Sequence, residues 1–131
     1  MGPAEGAVEV LVVDDQQRWR EALRDVVGAT PGLIVVGDAP SGEASLDAAA
    51  RLAPRLVIMD VRMPGMGGVE ATRRLKASHP DVVVVLVSVD GSDVDGLDSC
   101  GAAAFLRKEQ LSPQGLGAAW DEHGGGGARR A

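Results

Sequence analysis

The chain has 131 residues, enough for one domain whose core needs no disulfide or metal staple. Hydrophobic residues make up 45% and aromatics 2%, so the core must be built from Val, Leu, Ile and Ala, which suits a parallel sheet covered by helices. A net charge of −6 argues against a nucleic-acid surface, which needs a basic face, and a single cysteine, Cys100, excludes an intrachain disulfide and fits a reducing compartment. Met1 to Glu9 has no basic region followed by a long apolar run, and nowhere do roughly 18 apolar residues run uninterrupted. We therefore expect a soluble, cytoplasmic protein with no signal peptide and no membrane or direct nucleic-acid partner.

Residues 1–7 read as a short N-terminal extension. Val8 to Val13 is a first strand, ending at Asp14-Asp15. Gln16 to Ala29 follows as a helix, with Trp19, Ala22, Leu23, Val26 and Val27 on one face, and Thr30-Pro31-Gly32 stops it. Leu33 to Gly37 is a second strand. Ser41 caps a helix running to Ala53, with Leu46, Ala49, Ala50 and Ala53 inward, and Pro54 breaks it. Leu56 to Asp60 is a third strand, apolar until its carboxylate. Met63 to Gly68 is a loop of turn formers. Val69 to Ser78 is helical around a Val69, Thr72, Leu75 stripe, and Pro80-Asp81 ends it. Val82 to Val87, six apolar residues of which five are valine, is the clearest strand and stops at Ser88. Asp90 to Gly101 is a short, thin helix, weakened by Gly91, Gly96 and four aspartates. Ala103 to Leu106 is a fifth strand ending near Lys108. A last helix, Ser112 to His123, has Ser112 as cap, Pro113 in its first turn, and Leu116, Ala119 and Trp120 inward. The domain thus spans 8–123, and the glycine-rich stretch from Gly124 makes 124–131 a flexible tail. The order is βαβαβαβαβα: an α/β fold with a doubly wound, five-stranded parallel sheet.

In such sheets the chemistry collects beyond the carboxyl ends of the strands. Those ends carry Asp14 and Asp15, Asp60, Ser88, and Lys108 two residues past the fifth strand. Asp38, at the end of the second, has no evident role. Three carboxylates at one sheet edge repel one another and need a cation to stay ionised together; hard oxygen ligands favour Mg²⁺. A hydroxyl, an ammonium and a metal around one carboxylate make a receptor for a phosphoryl group.

These positions, with Val57 to Gly68 around Asp60 and Gly101 to Lys108, resemble the receiver domains of response regulators, most closely in pattern those of the NarL/LuxR type. The resemblance spans about Val8 to His123 and implies a CheY-like, flavodoxin-like fold. It implies that Asp60 is the phosphoacceptor, and that Asp14, Asp15, Asp60 and the Arg62 backbone carbonyl hold Mg²⁺. It further implies that Ser88 and Lys108 contact the phosphoryl group, and that Ser88 and Phe105 form the switch. The implied function is transfer of a phosphoryl group from a sensor histidine kinase to Asp60. That changes a surface read by a downstream protein or by an output domain outside this chain. The protein would be no enzyme beyond its own phosphorylation and dephosphorylation.

Some features depart from the family pattern. The stretch from Ser88 to Lys108 is a residue or two short. Phe105 replaces the commoner tyrosine. Glu109 follows Lys108, where a cis peptide would cost about 3–4 kcal/mol. No DNA-binding helix-turn-helix follows, so the expectation is a stand-alone or excised receiver. Two alternatives accompany this reading. One is a degenerate receiver that binds proteins without phosphorylation. The other is a doubly wound phosphatase with an aspartyl nucleophile, disfavoured because Arg62 stands where an acid-base aspartate belongs. A homodimer is a further hypothesis, through the last helices and strand or, where the fourth helix is weak, through the first and fifth helices with Trp120 as a candidate anchor. Cys100 reads as a small buried hydrophobe, and neither His79 nor His123 as a phosphorelay histidine.

Overall fold

The computed structural model describes residues 6–89 and 99–125. The apolar runs form five strands: β1 (Val8–Val13), β2 (Leu33–Ala39), β3 (Leu56–Asp60), β4 (Val83–Ser88) and β5 (Ala104–Arg107). All pairings are parallel and the sheet order is β2-β1-β3-β4-β5. Between them lie α1 (Gln17–Gly28), α2 (Gly42–Leu52) and α3 (Gly68–Ser78); α4 (Pro113–Trp120) follows β5.

Side chains alternate across a strand, so a sheet covered on both faces needs two cores. Val10, Val12, Ile58, Val85 and Val87 point to one face and pack with Leu23 and Val27 of α1 and Leu116 and Trp120 of α4. Leu11, Val13, Val57, Met59, Val84 and Leu86 point to the other, against Ala48 and Ala49 of α2 and Ala71 and Leu75 of α3. Cys100 is buried in this second core, as a small hydrophobe. Aliphatic residues fill both, as the scarcity of aromatics requires.

The helix ends follow local chemistry. The Ser41 side chain accepts from the Ala44 N–H at 3.0 Å and that of Ser112 from Gly115 N–H at 2.9 Å, with Pro113 in the first turn of α4. The Lys76 ammonium donates to the carbonyls of Pro80 and Val82, closing the turn into β4. α4 gives way at Asp121–Gly125 to a wider turn.

Several expectations need correction. The inward face of α2 is turned by one residue: Ala50 and Ala53 are exposed, while Gly42, Ser45, Ala48 and Ala49 are buried. An alanine-rich helix gives little contrast between faces, and Ser45 can be buried because its hydroxyl donates to the Gly42 carbonyl. Ala53 is no core residue but the C-cap, in the left-handed region at φ 49°. β2 runs two residues further than Gly37, because it bulges between its pairings with Val10 and Leu11 and stays alongside β1 to Ala39. Trp120 is 7% exposed and belongs to the α1/α4 core, with the Arg55 guanidinium 5.6 Å from its ring centre. No cis peptide occurs among the described residues. Most of the expected helix at Asp90 to Gly101, and of the tail at 124–131, lies outside the described residues. No described helix is long and apolar enough to cross a membrane.

Candidate functional site

β1 and β3 are neighbours in the sheet, yet the chain leaves them in opposite directions, toward β2 and toward β4. A crevice opens at that switch point beyond the strand ends. Asp14 and Asp15 follow β1, Asp60 ends β3, Ser88 ends β4 and Lys108 follows β5. A cleft of about 200 Å³ is lined by Asp15, Gln16, Trp19, Asp60, Arg62, Ser88, Val89 and Lys108.

One oxygen from each of Asp14, Asp15 and Asp60 lies within 4.8 Å of the others. Asp14 is fully buried, Asp60 is 7% exposed, and Asp15 is open to solvent. The Lys108 ammonium, itself buried, donates to Asp14 Oδ2 at 2.8 Å and stands 3.6 Å from Asp60 Oδ1. Asp14 Oδ1 accepts from the Gln16 N–H at 2.9 Å. The N-cap of α1 is Gln16, without a side-chain cap, so the aspartates are not simply helix caps.

The Asp60 carboxyl is pushed up from 3.8 to about 6. Burial is the largest cause and the Asp14 carboxylate the next; Lys108 pulls the other way, and Asp15 adds to the rise. One ammonium does not balance three carboxylates. A small cation bound by hard oxygens fits this donor set, with Asp15 on the side where water can complete its shell.

Ser88 is buried. Phe105 pairs with Leu86 and is half-buried against the α2/α3 core. Arg62 is exposed, at the start of the loop to α3. That loop is held at both ends: the Gly68 N–H donates to the Val61 carbonyl at 2.8 Å, and Glu43 of α2 accepts from the Met66 N–H at 3.2 Å. Sequence reasoning misses two contributors. Trp19, expected in the core, lines the cleft with its ring centre 4.2 Å from the Lys108 ammonium. Arg20 donates to the Asp14 carbonyl at 2.8 Å and lies 3.9 Å from Asp38, which also pairs with Arg24 at 3.1 Å. Asp38 therefore braces α1 and stands outside the acidic group. The signal for Trp19 is its place at the N-terminal end of the α1 stripe, beside the acidic pair.

A family model of the response regulator receiver domain matches residues 10–119. The chain belongs to this family. The response regulator GacA of Pseudomonas viridiflava is 48% identical over 103 residues, which cover 77% of this chain and 48% of that protein. The chain spans about half the length of such relatives. Among solved structures, the receiver domain of NarL from Mycobacterium tuberculosis is 28% identical with a TM-score of 0.77, covering 88% of this chain and 94% of that one. A LuxR-family response regulator from Aurantimonas is 25% identical with a TM-score of 0.79, covering 88% and 84%. The chain is thus a receiver domain of two-component signalling, with the flavodoxin-like fold of its relatives.

Proposed function

We propose that Asp60 is the phosphoacceptor of this receiver, taking a phosphoryl group from the phosphohistidine of a sensor kinase with Mg²⁺ held by Asp14, Asp15, Asp60 and the Arg62 carbonyl. The observation that carries this reading is the Lys108 ammonium, buried between Asp14 and Asp60 in a cleft that also holds Ser88. A buried cation beside an acceptor carboxylate, with a hydroxyl on the next strand, suits an incoming dianion better than it suits a structural ion pair.

An Asp60 oxygen attacks phosphorus as the P–N bond of the phosphohistidine breaks, and the imidazole leaves with the bonding pair. Asp60 must be ionised to attack, and its raised pKa makes it more basic than an ordinary carboxylate while leaving it charged at neutral pH. Bound Mg²⁺ would offset repulsion between Asp60 and the phosphoryl oxygens. Lys108 supplies a second positive charge, and Ser88 a hydroxyl for a phosphoryl oxygen. Drawing Ser88 toward that oxygen alters packing at the end of β4, beside Phe105 on β5. This is the proposed route to the output surface. Water attack on the acyl phosphate resets the domain, so it turns over no separate substrate. The reader of the switched state is a downstream protein or an output domain.

Intact mass after incubation with acetyl phosphate and Mg²⁺ tests the reading. One added phosphoryl group is expected, absent in Asp60→Asn and with EDTA. A folded chain that gains no mass would instead favour a receiver that works by protein binding alone.

A further inference from the structure

Lysine has a long flexible stem, and a buried ammonium beside an open cleft tends to extend toward water. Three contacts hold Lys108 in place: the Asp14 carboxylate at 2.8 Å, the Asp60 carboxylate at 3.6 Å and the face of Trp19 at 4.2 Å from the ring centre. They differ in one respect. Asp14 and Asp60 both belong to the three carboxylates grouped closely enough to hold a metal, so a bound divalent cation competes with Lys108 for them. The indole has no such second role. Its attraction for the ammonium comes from the ring quadrupole and survives whatever happens to Asp14.

Trp19 is itself well supported. It stands in the first turn of α1, half-buried, and its backbone N–H donates to the Gln16 carbonyl at 3.1 Å. Next to it, Arg20 ties α1 to the Asp14 carbonyl. The ring therefore belongs to the wall of the cleft and faces the Lys108 ammonium.

We propose that Trp19 is a positioning residue for Lys108: its indole keeps the ammonium in the cleft when a divalent cation engages Asp14, so that the positive charge is in place as the phosphoryl group arrives. This rests on Asp60 being the phosphoacceptor, and the test separates the two ideas.

The full chain is compared with Trp19→Phe and Trp19→Leu. The first measurement is the proton shift of the Lys108 ε-methylene by NMR, where the indole ring current moves it upfield. That displacement should persist when Mg²⁺ replaces EDTA, shrink in Trp19→Phe and vanish in Trp19→Leu. The second is the rate of phosphorylation by acetyl phosphate at saturating Mg²⁺. Trp19→Leu should be slower by about three- to tenfold, the range a partly desolvated cation–π contact supports. Trp19→Phe should recover most of the rate, and Mg²⁺ affinity should change little in either. A wild-type ε-methylene shift that collapses on adding Mg²⁺ would overturn the proposal, as would equal rates in all three chains or an equal loss in both variants. If Trp19→Leu does not fold, Trp19→Met takes its place. If wild type accepts no phosphoryl group, the phosphoacceptor reading fails by itself. The methylene shift still decides whether Trp19 holds Lys108 in the presence of metal.

Discussion

At the scale of single residues, the site is a balance of unlike charges in little water. The raised pKa of Asp60 means the folded chain keeps a proton that the unfolded chain has lost between about pH 4 and pH 6. In the metal-free protein this group therefore costs nothing below that window, and destabilises the fold increasingly as pH rises through it. Asp60→Asn removes the penalty. In EDTA at pH 7.5 it should stabilise the chain by about 1–3 kcal/mol, by urea unfolding, and at about pH 3 the gain should nearly disappear. A constant gain across that range would assign the effect to packing. Lys108→Met should act in the opposite direction. It leaves Asp14 fully buried without its ammonium, a loss on the order of 3 kcal/mol in EDTA. Mg²⁺ should restore part of it, since the metal supplies the missing charge. A chain no less stable than wild type in EDTA would show that Asp14 does not need that partner.

At the scale of elements, the close approach of α3 to the end of β3 depends on Gly68. A Cβ there would stand 2.4 Å from the Asp60 carbonyl and 3.0 Å from Val61 Cα, both backbone atoms that cannot swing aside. Gly68→Ala should cost about 1–3 kcal/mol in a thermal melt and weaken Mg²⁺ binding, because the strain falls on the strand end that carries Asp60. Ala53 presents the reverse case. An L residue at φ 49° is held in a disfavoured region, so Ala53→Gly should be neutral or stabilise by up to about 1 kcal/mol. Differential scanning calorimetry of the two variants would show both signs.

These elements also show what a sequence can disclose. The valine-rich runs at 8–13 and 82–87 have the composition of buried parallel strands, and the order of elements alone is enough to bring Asp14, Asp60 and Ser88 to one sheet edge. The place of α2 is legible but its rotation is not, since alanine at 48, 49, 50 and 53 has no periodic voice and a buried serine looks polar. The bulge in β2 is invisible in the sequence because it depends on the partner strand. Trp19 escapes for a related reason: helical periodicity says that a side chain turns inward, not whether it meets the core or the mouth of a cleft. The pairing of Asp38 with Arg20 and Arg24 spans an element boundary that no local pattern records.

At the scale of the whole molecule, the sheet separates two aliphatic cores and carries the charged site along one edge. Because the acidic group repels itself in the metal-free state, a ligand that binds only the native arrangement should stabilise the entire domain by linkage. At a concentration about 100 times its dissociation constant, Mg²⁺ would contribute roughly 2.7 kcal/mol. The melting temperature should rise by about 5–15 °C over EDTA, and much less in Asp60→Asn. An equal rise in both chains would mean that the ion acts elsewhere.

The two tryptophans give the molecule a built-in optical instrument. With no tyrosine and one phenylalanine, its near-ultraviolet emission comes almost entirely from two indoles. Trp19 stands among the carboxyl ends of the strands, in the charged cleft. Trp120 lies near the start of the sheet, with Val8, Leu33 and Arg55 about the same hollow. One fluorophore therefore watches the chemistry while the other, shielded at the far pole, serves as an internal reference. Occupancy of the cleft should change the intensity of one component and leave the other steady, so that ion binding and unfolding can be told apart in one unlabelled sample.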